Sequence, residues 1–154
     1  MKIAAPLPAL PAGRGNRFAV VVSRFNSAVT DRLLDGCRST FRAAGVAERD
    51  VRVVYAPGAF ELPFLCRRLA TSRRYHAVVA LGCIIRGRTP HDRYIAQAVA
   101  QGIMAVGLET GVPVVFGVLT TLNARQARAR SGRGEANKGV ESARAALAMA
   151  SGNF

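Results

Sequence analysis

The chain has 154 residues, of which 50% are hydrophobic and 20% charged, a size and composition that predict one compact domain with a single core. Its apolar runs are shorter than the ~20 residues of a membrane-spanning helix, and prolines interrupt the apolar N-terminal segment, so we expect a cytoplasmic protein. The formal net charge of +13 comes almost entirely from arginine and favours anionic ligands, either small phosphates or nucleic acid.

The predicted elements begin after an N-terminal arm. Residues 1–16 lack hydrophobic periodicity, and they predict an extended arm that leads into a single domain over residues 17–154. The apolar, β-branched run 18–22 predicts the first strand. Apolar residues then recur at helical spacing over 29–41, which predicts the first helix, and Gly45 is a plausible end for it.

Strands and helices continue to alternate towards the C-terminus. The predicted strands are 51–55, 77–85 and 112–119, and the predicted helices are 62–69, 95–106, 124–130 and 137–149. The third strand is apolar on both faces, as central parallel strands are. This alternation predicts an α/β fold, a three-layer sandwich in which helices cover both faces of a four-stranded parallel sheet.

Ligands of parallel sheets bind beyond the carboxyl ends of the strands, and the segments at those ends carry the chemistry of this sequence. They supply an aromatic ring (Phe25), a carboxylate (Glu61), one of only two histidines (His91) and a pair of threonines. Arg130 follows the fourth strand. This set suits a planar ligand stacked on Phe25 and an anion held by arginine and threonine, but it offers no nucleophile with an obvious base.

The three cysteines do not form a disulfide framework or a metal site. Cys37, Cys66 and Cys83 contain no Cys-x-x-Cys pair, and each lies in an apolar pattern typical of a buried free thiol. Only Cys83 is placed to be a nucleophile, and an apolar setting would raise the pKa of its thiol. No Cys/His spacing fits a metal, so we expect none.

Several candidate residues also have ordinary structural explanations. A lone histidine near a strand end is usually hydrogen-bonded within the protein or exposed to water, and we interpret His76 in this way. Glu61 could be only a charge favoured by the dipole at a helix N-terminus. Phe25 and Phe116 would be assigned to the core on pattern alone. The arginines could be scattered over solvated helix faces, since the densest run, 125–133, has no aromatic ring to stack on bases.

Six segments occur in the order and spacing of one enzyme family. They are SRFN (23–26), PGAFELP (57–63), ALGCIIRG (80–87) with Thr89 and His91, GVLTT (117–121), Gln126 and Ala127 with Arg130, and NKG (137–139). Over residues 17 to 150 the chain resembles the 6,7-dimethyl-8-ribityllumazine synthases of riboflavin biosynthesis. The resemblance implies a flavodoxin-like sheet and a transferase that needs no cofactor.

The resemblance implies the reaction and the assembly as well. Members of this family condense 5-amino-6-(D-ribitylamino)uracil with 3,4-dihydroxy-2-butanone 4-phosphate to 6,7-dimethyl-8-ribityllumazine, releasing phosphate and water in the penultimate step of the pathway. It implies a homo-oligomer built from pentamers, with the site shared between adjacent subunits and an N-terminal strand lent to the neighbour. The resemblance also implies that the protein binds small-molecule substrates. It implies no binding to a membrane and disfavours binding to nucleic acid.

Residue roles also follow from the resemblance. It implies that His91 moves protons and that Phe25 stacks on the pyrimidinedione ring. The ribityl chain would lie against Ala59, Phe60 and Glu61, the heterocycle against Cys83, Ile84 and Ile85, and the phosphate against Arg88, Thr89 and Arg130, while Phe116 would come from the adjacent subunit.

The chain departs from the family pattern near the predicted phosphate site. Arg88 stands where an acidic or small residue is frequent. Asp92 and Arg93 follow His91 where an aromatic and an acidic residue are common, and Leu122 replaces a frequent acidic residue. These changes bear on phosphate preference and subunit packing.

Two other functions fit parts of the sequence. A binding protein on the same scaffold would hold riboflavin or lumazine tightly with negligible turnover. A nucleic-acid partner would account for the basic charge, and its affinity would fall steeply with salt.

Overall fold

A computed structural model describes residues 8–152 and 154, which contain a four-stranded parallel sheet with helices on both faces. The strands are β1 (Phe18–Ser23), β2 (Val51–Ala56), β3 (Ala77–Ile85) and β4 (Val114–Thr121), in the order β2-β1-β3-β4. The helices are α1 (Ser27–Ala43), α2 (Leu62–Thr71), α3 (His91–Thr110), α4 (Ala124–Ala129) and α5 (Lys138–Ser151), with 3-10 turns at Glu48–Asp50 and Ala59–Glu61. The predicted α/β fold is confirmed.

Strand β1 lies inside the sheet, and its position explains why residues 18–22 are apolar without alternation. All six of its residues are buried. Phe18, Val20 and Val22 enter the core between the sheet and helices α1 and α5, whereas Ala19 and Val21 enter the core on the side of α2 and α3. A strand covered on both faces has no solvated side for polar residues.

Two observed boundaries differ from the sequence prediction. Helix α3 begins at His91, one turn before the first apolar residue of the predicted helix, because Pro90 occupies the cap position and needs no N–H donor there. Strand β4 begins at Val114, directly after Pro113, and it lies at the edge of the sheet where proline is tolerated.

The parallel register brings the carboxyl ends of the strands together. Hydrogen bonding continues past two of these ends, where the Arg24 N–H donates to Ala56 O at 2.9 Å and the Arg86 N–H donates to Thr121 O at 2.8 Å. The segments that leave the strands therefore start as neighbours at one edge of the sheet. This edge is where the sequence placed its candidate ligand-binding residues.

The described part of the N-terminal arm lies against the end of the domain opposite to that edge. Residues 8–16 form no helix or strand, and the Gly13 N–H donates to Ala44 O at 2.8 Å, just after α1. Arg144 of α5 donates to Pro8 O at 3.3 Å. Residues 1–7 lie outside the described residues, so an N-terminal strand lent to a neighbour stays a prediction.

Helix α5 is fixed to α1 by the hydrogen bonds of one buried cap as well as by apolar contact. Asn137 is 3% exposed, and its Oδ1 accepts hydrogen bonds from the N–H groups of Gly139 at 2.7 Å and Val140 at 3.3 Å. Its Nδ2 donates to Arg32 O at 3.2 Å and to Gly132 O at 2.8 Å. One side chain thus caps α5, bonds to α1 and fixes the preceding turn.

Among the described residues, no helix is both long enough and apolar enough to cross a membrane.

Candidate active site

A cavity of about 790 Å³ opens at the carboxyl ends of β1, β2 and β3, within the size range of ligand sites. Its walls are the segment after β1, the 3-10 turn after β2, the end of β3 with its following loop, and the start of α3. Nine of the twelve predicted site residues line it: Phe25, Ala59, Phe60, Glu61, Cys83, Ile84, Ile85, Thr89 and His91.

Asn26 holds the first wall in position. Its backbone is left-handed (φ 61, ψ 45), a conformation that asparagine tolerates better than most residues. Its Nδ2 donates a hydrogen bond to Cys83 O at 2.8 Å, which ties the segment after β1 to the end of β3. The neighbouring Phe25 ring is 71% exposed, so its face is free to stack against a ligand.

The carboxylate of Glu61 forms part of the second wall. Glu61 ends the 3-10 turn and directly precedes α2, and its Oε2 lies 3.1 Å from where a Cβ on Gly58 would be. Glycine at position 58 therefore lets the carboxylate lie close to the backbone. Within the described chain no hydrogen bond or ion pair occupies Glu61, which leaves both oxygens available to hydroxyl donors.

Cys83 is part of the wall but is not poised as a nucleophile. Burial raises the pKa of its thiol to about 11, so the thiol stays protonated at neutral pH. Burial also raises the pKa of Cys37 and Cys66. All three cysteines are free and buried, which confirms the sequence interpretation.

Helix α3 supplies His91 and several lining residues that the sequence prediction omitted. Tyr94, Ile95 and Ala98 follow His91 at spacings of three, four and seven, so helical periodicity extended back to residue 91 would have found them. Asp92 also lines the cavity, and its Oδ1 is buried without a hydrogen-bond partner in the described part of the chain. A buried acceptor without a donor is unusual, and a bound ligand or a water molecule can donate to it.

Comparison with known proteins shows the family of the chain. Residues 15–153 match the family described as 6,7-dimethyl-8-ribityllumazine synthase. The chain belongs to the 6,7-dimethyl-8-ribityllumazine synthase family. A relative of that name from Desulfotalea psychrophila is 48% identical over 136 residues, which cover 88% of this chain and 88% of the relative.

Three of the residues that the resemblance to lumazine synthases assigns to the site lie outside this cavity in a single chain. Arg88 lines an adjoining cavity of about 220 Å³ together with Arg86 and Arg93. The two cavities share Gly87 and Thr89, so the cationic cavity continues from the larger one. Among the described residues, three guanidinium groups and no carboxylate line this extension.

Phe116 and Arg130 line neither of these two cavities. Phe116, on β4, lines a separate apolar cavity of about 410 Å³ between α3 and β4. The Arg130 guanidinium donates to Ala136 O and to Glu141 Oε2, each at 3.0 Å. A single chain of this lumazine synthase family member therefore does not bring Phe116 or Arg130 to the larger cavity. Their roles in substrate binding stay predictions.

Proposed function

We propose that this chain catalyses the condensation of 5-amino-6-(D-ribitylamino)uracil with 3,4-dihydroxy-2-butanone 4-phosphate to 6,7-dimethyl-8-ribityllumazine, releasing phosphate and water. It is then a transferase of the penultimate step of riboflavin biosynthesis. The observation that carries the proposal is that a member of this family gathers Phe25, Glu61 and His91 from three segments around one cavity of about 790 Å³.

The pyrimidinedione fits the larger cavity. Its ring would stack on Phe25 and lie against the apolar end of β3, Cys83 to Ile85, while the ribityl hydroxyls donate to Glu61. Ala59 and Phe60 would flank the ribityl chain, because they share the 3-10 turn with Glu61. This division follows from chemistry, since a flat ring prefers an aromatic face and a polyol prefers a charged acceptor.

His91 is placed to move the protons of the reaction. Attack of the amine on the ketone forms a carbinolamine, loss of water gives the imine, elimination expels the phosphate, and ring closure releases a second water. Each step transfers a proton, and imidazole exchanges protons readily near neutral pH. Holding both substrates side by side also makes the first step effectively unimolecular.

The phosphate of the second substrate fits the cationic extension around Arg88. Thr89 lines both cavities, so a phosphorylated four-carbon substrate bound across it would place its dianion among the arginines and its carbonyl towards the larger cavity. Guanidinium groups there would stabilise the charge of the departing phosphate. Arg88, a departure from the family pattern, then strengthens phosphate binding.

Replacing Arg88 with alanine is expected to raise KM for the butanone phosphate about tenfold, because losing one charge-assisted hydrogen bond costs about 1.5 kcal/mol. KM for the pyrimidinedione should change by less than about twofold, since that ring binds on Phe25. Initial rates at varied concentrations of each substrate measure both constants.

KM for both substrates is also measured in Arg130→Ala and compared with the values for Arg88→Ala. If Arg130 of any subunit also receives the phosphate, KM for the butanone phosphate rises selectively in that variant too. Equal changes for both substrates in either variant would remove the phosphate role of the arginine concerned.

Replacing Asp92 with alanine is expected to weaken binding of the pyrimidinedione about tenfold without lowering the melting temperature. The carboxylate forms no hydrogen bond in the described part of the chain, so its removal breaks none in the free protein. A bound ligand can supply the N–H or O–H donor that the carboxylate lacks. Fluorescence titration and thermal denaturation measure the two effects.

Asp92→Asn is the matched control, because it keeps one acceptor oxygen at the same position and should retain most of the affinity. Unchanged affinity in Asp92→Ala would contradict the role of Asp92 in ligand binding.

We further propose a cytoplasmic homopentamer with sites shared between adjacent subunits. Apolar side chains around the cavity near Phe116 support an interface there, since Met104 is 63% exposed, Leu108 77% and Met149 45%. Exposed apolar side chains grouped in this way usually mark contacts between proteins. In a ring of identical subunits, a neighbour seated on this surface would bring its own cavity against Phe116, and sedimentation velocity tests the pentamer.

The synthase activity is tested directly by mixing the purified protein with both substrates and following lumazine fluorescence and phosphate release together. Coupled appearance of both products, well above the uncatalysed rate, is the expected result. A folded protein that binds riboflavin or lumazine tightly without accelerating either signal would instead be a binding protein on the same scaffold.

A further inference from the structure

A second cavity with charged walls lies at the amino ends of the strands, at the opposite edge of the sheet from the candidate active site. It has a volume of about 360 Å³ and is lined by Arg17, Arg49, Asp50, Arg52, Arg74 and Tyr75. Four guanidinium groups and one carboxylate give its walls a formal charge of +3. The proposed synthesis uses none of these residues.

The chain segments that carry the arginines are held together at this edge. The Arg17 N–H donates to His76 Nδ1 at 2.9 Å, and the His76 N–H donates to Arg17 O at 2.8 Å. These two bonds join the residues before β1 to the residues before β3, and they confirm that His76 is a satisfied side chain. Arg52 lies on β2 in register with Ala19 of β1. The backbone positions of the cluster are therefore set by the sheet.

The four guanidinium groups have no partners among the described residues. Elsewhere, arginines such as Arg67 and Arg130 form ion pairs with glutamates. In the described part of the chain, no ion pair within 4.0 Å involves the side chains around this cavity, including Asp50. All four arginines are exposed, so a ligand from solvent can reach them. Like charges gathered in this way repel one another. An anion bound among them is attracted to each guanidinium group and offsets that repulsion.

We propose that this cavity binds a small polyanion carrying two or more phosphate groups. A guanidinium fork binds two phosphate oxygens at once, and the net charge of the walls exceeds what one phosphate dianion neutralises. The ring of Tyr75 is partly buried against the core and adds a fixed apolar wall. Nucleic acid would need a basic surface extended along its backbone and rings for stacking, whereas these cations converge on one cavity.

Isothermal titration of the full-length protein with inorganic triphosphate, and separately with orthophosphate, tests the proposal. Triphosphate is expected to bind at least about tenfold more tightly than orthophosphate. The double variant Arg52→Ala with Arg74→Ala should lose about tenfold or more of the triphosphate affinity. It should form lumazine at the rate of the unaltered protein, because neither residue belongs to the active site.

The matched control removes the same charge from exposed arginines of α4, in the double variant Arg125→Ala with Arg128→Ala. Its triphosphate affinity should change by less than about twofold. The variant Arg52→Lys with Arg74→Lys keeps the charge without the fork, and an intermediate affinity there supports bidentate binding.

Equal losses in the two alanine variants would show that triphosphate responds only to net charge and would overturn the proposal. So would affinity for single-stranded RNA without detectable triphosphate binding. Because the titration needs no turnover, failure of the proposed synthase activity would leave its result unaffected.

Discussion

Replacing His91 with alanine is expected to lower kcat for lumazine formation about 100-fold, which is the usual contribution of a general acid–base residue. The loss stays partial because the cavity still holds both substrates side by side, and proximity supplies its own share of the rate. Binding of the pyrimidinedione should change little, since the proposed site of its ring is Phe25 and not His91. Stopped-flow or steady-state fluorescence of the lumazine product measures the rate.

The control is His76→Ala, which removes the other histidine of the chain at the opposite edge of the sheet. Its kcat should stay within about twofold of the unaltered value. A His91→Ala protein with full kcat would show that another group or solvent moves the protons.

Replacing Gly139 with alanine is expected to lower the free energy of unfolding by about 3 kcal/mol, at the upper end of overpacking effects. A Cβ at this position would lie 1.8 Å from Leu33 O and 2.7 Å from Leu33 C. Because these are backbone atoms, no side-chain rotation relieves the overlap and helices α1 and α5 must separate. A fall in melting temperature of about 10 °C corresponds to this loss in a chain of this size.

Gly107→Ala is the matched control, since Gly107 also lies inside a helix and an added Cβ there would be 3.7 Å from the nearest atoms, at ordinary contact distance. Alanine there should leave the melting temperature unchanged or raised, because alanine favours helix more than glycine does. Equal melting temperatures for Gly139→Ala and Gly107→Ala would mean that the α1–α5 contact relaxes without cost.

The local pattern of apolar and polar residues was sufficient to predict the helices and strands and most of the candidate site. The apolar run at β1, the helical spacing in α1 and the break at residues 57 and 58 each depend on a few neighbouring residues, so periodicity located them. Because parallel strands end at one edge, the order of elements also grouped Phe25, Glu61 and His91. Their roles came from the family resemblance, since no residue pattern names a substrate.

Contacts between distant segments could not be predicted in this way. Asn137 begins the last predicted helix, but its bond to Arg32, 105 positions away, exists only after α1 and α5 pack together. Asp92 precedes the predicted start of its helix at residue 95, and only burial shows that its Oδ1 lacks a partner in the described part of the chain. The adjoining cavity around Arg88 likewise depends on how the loop after β3 folds.

The sequence by itself determined the α/β class, the strand order along the chain, the free buried cysteines and the residues gathered at the carboxyl edge, because each follows from local periodicity or from the geometry of parallel strands. Only the tertiary structure decided that Arg130 pairs with Glu141 and that four arginines converge at the opposite edge. Those facts depend on distances between segments far apart in sequence, which side-chain packing sets and no local pattern records.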